Sequence, residues 1–121
     1  MKKKLITGML ALGIIACPGL AQAFTVANYL EHLRLQNAGD VQTGRVLRAY
    51  VIGLVEGVWG TNFTGENRVF CPPADIRNPS VEMYHEWIKA GIRNNIDLPD
   101  LESRELNGIL IATLKGKFPC K

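Results

Sequence analysis

The sequence predicts an all-α protein: a small bundle of about four helices with one disulfide, preceded by a cleavable signal peptide. Three observations carry this expectation. After residue 23, apolar residues recur at steps of three and four in four successive segments, the period of a helix face. Asn-Ala-Gly, a polar loop running into Cys-Pro-Pro, and Asn-Asn-Ile-Asp-Leu-Pro separate these segments, and such residues end helices. No segment sustains a period-two alternation, which would mark a half-buried strand.

Met1-Lys2-Lys3-Lys4 is a positive start. Leu5 to Ala16 is an apolar run broken only by Thr7 and glycines, and Ala21-Gln22-Ala23 has the small-x-small form of a cleavage site. This reads as a secretory signal peptide (1–23) cut after Ala23, leaving a domain at 24–121. The run is too short for a membrane anchor, which needs about 20 apolar residues. Ile14-Ile15-Ala16-Cys17 also fits the bacterial lipoprotein pattern, which would acylate Cys17. Pro18 directly after the cysteine, and the Ala-x-Ala site downstream, favour simple cleavage.

The whole chain carries 14 basic and 11 acidic residues. Three of the lysines lie in the signal, so the 98 mature residues hold 11 of each sign. The arginines are dispersed, so the basic stripe of a nucleic-acid binder is missing. The mature chain suits one domain with one modest core. Two cysteines remain after cleavage, Cys71 and Cys120. In an exported chain they are expected to form a disulfide.

The first helix is expected over Phe24 to Gln36, with Val26, Tyr29, Leu30 and Leu33 inward and Thr25 as N-cap. Gly39 suits the left-handed conformation that ends a helix. The central helix starts near Arg45. Val46, Leu47, Tyr50, Val51, Leu54, Val55, Val58 and Trp59 form one wide apolar face. Gly53 and Gly57, with Gly60 after them, predict a notch into which a neighbouring helix packs closely, because glycine otherwise costs a helix about 0.5–1 kcal/mol. A polar loop, Thr61 to Arg68, follows. Asn78-Pro79 reads as an N-cap and first residue of a third helix, which carries Val81, Tyr84, Trp87, Ile88 and Ile92 to about Asn94. The fourth helix is expected from about Asp100 to Lys117, with Leu106, Ile109, Leu110, Thr113 and Leu114 inward.

Three chemical constellations fail on inspection. A Cys71 nucleophile with His32 or His85 as base would be followed by Pro72 and Pro73, which have no N–H for an oxyanion hole, and a disulfide would consume the thiol. Glu82, His85 and Glu86 offer half of a di-metal bundle motif, without the second copy that such a site needs. No pair of carboxylates is singled out. Glu56, within the apolar helix, is either an exposed edge or a buried partner of Arg93 or Arg104. No catalytic residue, metal site or cofactor is expected.

Tyr50-Val51-Ile52-Gly53-Leu54-Val55-Glu56-Gly57, then Cys71-Pro72-Pro73, then a terminal Phe118-Pro119-Cys120, together resemble the Rap/Tai-like family of bacterial immunity proteins. The similarity runs from about Arg45 to Cys120. Asn107, Gly108 and Thr113 depart from the alanine-rich last helix of such proteins. The resemblance implies a small helical periplasmic protein without catalysis, often a homodimer. It would bind and occlude a peptidoglycan amidase delivered as a type VI secretion toxin.

The partner surface is expected on the loop from Gly60 to Arg68, pinned at its far end by Cys71. Phe63 is the anchor among Asn62, Thr64, Glu66, Asn67 and Arg68, an aromatic-in-polar composition common in hot spots. The bland alternative has Phe63 folding inward to seal the core. Two other functions compete. One is a periplasmic holdase or acid-stress chaperone, since protonating 11 acids leaves the chain strongly positive. The other is a Rap/Tai-like domain with an unrelated binding role.

Overall fold

The computed structural model describes residues 24–121; the signal peptide, its cleavage after Ala23 and the alternative at Cys17 lie outside the described residues. The chain runs α1 (Val26–Asn37), α2 (Val41–Thr64), α3 (Val81–Asn94), a 3-10 turn (Leu101–Ser103) and α4 (Leu106–Lys117). Strand structure among the described residues is confined to one antiparallel bridge, Thr25 with Glu105. There Val26 N–H donates to Arg104 O at 3.0 Å and Leu106 N–H to Phe24 O at 2.9 Å. The start of the domain is thereby tied to the entry of its last helix.

Local chemistry sets each boundary. The Thr25 hydroxyl accepts from Asn28 N–H and begins α1. Gly39, with φ 96°, takes the left-handed turn after it, which a side chain would resist. Asp40 caps α2 by accepting from Thr43 N–H at 2.9 Å, and this bond holds its carboxyl below the usual carboxylate range. The cap of α3 is Ser80, not Asn78: its hydroxyl accepts from Met83 N–H, and Pro79 stands just outside the helix. The stretch from Asp100 does not join α4. Three residues close as a 3-10 turn, and the extended backbone at Arg104 and Glu105 makes the bridge before α4 starts.

α1 packs mainly on α2 and α3 mainly on α4, with α2 also crossing α3. The core is one cluster: Val26 and Tyr29 from α1; Leu47, Val51 and Val55 from α2; Tyr84, Trp87, Ile88 and Ile92 from α3; Leu106, Ile109, Leu110 and Leu114 from α4, closed by Phe70, Leu101 and Phe118. These are largely the faces that the helical period marks. Leu30 and Val46, placed inward by that period, are instead 40% and 48% exposed. Both lie on the edges of their stripes. Among the described residues no helix is long and apolar enough to cross a membrane.

The glycine notch lies elsewhere. Among the described residues a Cβ built on Gly53, Gly57 or Gly60 meets nothing within 4 Å, so no described helix packs into them. The close approach is at Gly91 of α3. A Cβ there would abut Thr113 Oγ1 and stand 2.7 Å from Ile109 Cγ2 and 3.3 Å from the Ile109 carbonyl oxygen. The small residue that lets two described helices meet closely joins α3 to α4.

Cys71 and Cys120, 49 positions apart in sequence, form the disulfide, with Cα atoms 5.0 Å apart. Cys71 N–H also donates to Phe118 O at 2.7 Å. The segment after α2 and the end of the chain are thus sewn together beside Phe70 and Phe118.

Candidate functional site

α2 runs five residues beyond Trp59, the last of its apolar stripe, to Thr64, and so carries half of the expected loop on a helix. Trp59 and Phe63, four apart, set their rings 5.6 Å centre to centre. Thr64 Oγ1 donates back to Gly60 O at 2.9 Å, and Gly65 N–H closes the end on Thr61 O. The remaining connection, from Gly65 to the cysteine, is short.

Asn62 corrects the expected contact set. It is 4% exposed and turns inward, not toward a partner. Its Oδ1 accepts from Val69 N–H at 2.7 Å and Phe70 N–H at 3.2 Å, and its Nδ2 donates to Phe70 O at 2.8 Å. A buried amide making three bonds to backbone is a clamp. It holds the returning segment as a further helix turn would, because each buried backbone group must find a partner.

Phe63 is 40% exposed. It stays outside the core, and the Arg68 guanidinium stacks over its ring, 4.9 Å from the centroid. Such a pair combines a cation with a negative ring face and restrains both side chains. Glu66 and Asn67 are exposed on the turn between them. The base of this projection is rigid: Trp59 also stacks on Trp87 at 5.7 Å and 5° and meets Phe70 at 5.4 Å. Beside it opens a cleft of about 480 Å³, lined by Trp59, Phe63, Arg68, Ile76, Arg77 and the Pro72-Pro73-Ala74 stretch.

The other residues singled out by sequence lie apart from this end. Glu56 is exposed; Arg104 pairs with Asp100 at 3.1 Å, not with Glu56. His85 Nδ1 is 2.8 Å from the Tyr29 hydroxyl. That hydroxyl has no other partner among the described residues, so it donates and Nδ1 accepts. Burial, then the charge of Lys89, pushes the His85 pKa down. Burial, then the charge of Glu86, pushes the Tyr29 pKa up. Among the described residues no three His, Cys, Asp or Glu side chains are grouped to hold a metal. The Cys71 sulfur is bonded to Cys120.

No protein-family model, curated protein or solved structure matches this chain.

Proposed function

We propose that this is a non-catalytic binding protein of the periplasm, an immunity protein of the Rap/Tai-like kind that occludes a peptidoglycan amidase delivered by type VI secretion. One observation supports the binding surface above others: an exposed aromatic, Phe63, held under Arg68 at the tip of a long helix. Two locks restrain the tip, the Asn62 clamp and the Cys71–Cys120 bond. A surface ordered before it binds loses less entropy on binding. A rigid aromatic beside arginine is the composition that dominates interface energetics. The immunity assignment itself comes from the order of the Tyr-Gly helix, Cys71-Pro72-Pro73 and Phe118-Pro119-Cys120.

The test is protection. Cells are made to export a Cys-His amidase encoded beside this chain, with and without the chain. Growth rescued by the wild type, and lost with Phe63→Ala or Arg68→Ala at unchanged melting temperature, supports the reading. Failure to bind or neutralise any neighbouring amidase sinks it.

A further inference from the structure

The cleft beside Phe63 concentrates charge in a chain that has none to spare. The mature domain holds 11 acids and 11 bases, yet the lining of this cleft contains two arginines and no acidic residue. Arg68 lies over the Phe63 ring. Arg77 donates its Nε–H to Ala74 O at 3.3 Å, which leaves the outer edge of its guanidinium free. Among the described residues neither arginine has a carboxylate within 4.0 Å. The two ion pairs that do form are far along the chain, Arg34 with Glu31 and Arg104 with Asp100. Between the arginines the wall is apolar: Trp59, Phe63, Pro72 and Ile76.

We propose that this cleft takes a loop of a partner protein in which a carboxylate side chain sits next to an apolar one. The carboxylate reaches Arg68 and Arg77, and the apolar neighbour covers Trp59, Phe63 and Pro72. This rests on the binding reading above and supplies the partner chemistry it lacks. Arginine is suited to the task because its fork matches a carboxylate in two parallel bonds and it stacks on aromatic faces. The apolar wall decides the class of occupant. A free anion gains nothing from an indole, a phenyl ring and a proline. A nucleic acid would need a basic stripe, whereas a mixed side-chain pair uses both parts of the lining.

The experiment uses the mature protein, residues 24–121, with isotopic labelling for NMR. The probes are two peptides, acetyl-Ser-Leu-Glu-Phe-Ser-amide and its counterpart with Gln for Glu, each titrated to about 5 mM, beyond the reach of a millimolar interaction. The expected result is movement of the Trp59 indole N–H and of the Arg68 and Arg77 side-chain N–H signals with the Glu peptide. The Gln peptide should bind about tenfold more weakly, since hydrogen bonds to a charged group exceed neutral ones by about that factor. Arg77→Gln should reduce the Glu peptide to the Gln level, and Arg77→Lys should restore part of the difference, both with unchanged melting. Equal binding of the two peptides, shifts confined to another face, no shifts, or displacement of the Glu peptide by an equal concentration of acetate would each overturn the proposal. Charge-selective binding here, combined with no protection from any amidase, removes the immunity reading and leaves the cleft. Protection that survives Arg77→Gln removes the cleft and leaves immunity.

Discussion

The Asn62 side chain and the Phe70 backbone are joined twice: Nδ2 donates to the Phe70 carbonyl at 2.8 Å, and Oδ1 accepts from the Phe70 N–H at 3.2 Å. With the bond from Val69 N–H at 2.7 Å, one amide satisfies three backbone groups where the chain returns from α2. Asn62→Ala leaves the buried Phe70 groups and the partly buried Val69 N–H short of partners. The cost is expected at about 2–4 kcal/mol, since each buried polar group without a partner costs about 1–3 kcal/mol. Asn62→Asp keeps the acceptor, loses the donor and buries a charge facing the Phe70 carbonyl, so at neutral pH it should cost no less than Ala. Urea unfolding measures both. A change under about 0.5 kcal/mol for Ala, the size typical of surface positions, would show that water replaces the clamp.

Removing either cysteine should cost about 2–5 kcal/mol, the usual range for a native disulfide in a small domain. The bond closes 49 positions of sequence, for which the chain-entropy view gives about 4 kcal/mol. Cys71→Ser and Cys120→Ser act through one bond, so the double variant should lose little more than either single one. Additive losses in denaturant midpoints would contradict this.

The glycines separate by the space around them. Gly91→Ala forces a Cβ against Thr113 and Ile109 and should destabilise by about 1–3 kcal/mol, as overpacking does. Gly53→Ala and Gly57→Ala meet nothing within 4 Å, so the gain in helix propensity stands alone. Each should stabilise the monomer by about 0.5–1 kcal/mol. Thermal melting of the three variants side by side checks the ordering. Destabilisation by Gly57→Ala that depends on protein concentration would place a second copy of the chain on that face.

Stability should fall on acidification through the Tyr29–His85 bond. A protonated Nδ1 no longer accepts from the buried Tyr29 hydroxyl. The groups around the ring are Lys89, Glu82 and Glu86 on α3 and Arg48 on α2, with Tyr29 on α1; burial and the Lys89 charge prevail, and the folded pKa is depressed. The unfolded histidine, near pKa 6.5, therefore binds protons before the folded one does. The contribution is complete above about pH 6.5 and is lost as pH drops through the folded pKa. His85→Gln keeps an acceptor that does not titrate. The stability difference between wild type and this variant should shift against the wild type from pH 7.5 to pH 5. A difference independent of pH would remove His85 from the acid response.

The helices were legible because their signals are local. Val26 and Tyr29, or Tyr84, Ile88 and Ile92, declare one face by spacing alone, and Asp40 and Thr25 declare their own capping bonds. The disulfide was legible by counting, since only two cysteines follow residue 23 and they can pair in one way. What only the tertiary structure decided concerns residues whose role depends on what lies across from them. Gly53, Gly57 and Gly91 are the same residue on helices, and only the position of α4 makes Gly91 the contact. Asn62 reads as a polar loop residue because composition reports polarity. Its burial depends on Phe70 returning within reach of the end of α2. Arg68 and Arg77 stand four and thirteen residues past the end of α2 at Thr64, yet they line one cleft with Trp59 and Phe63. Spacing along a chain carries the energetics of a single element, whereas contacts between elements follow from packing of all of them at once.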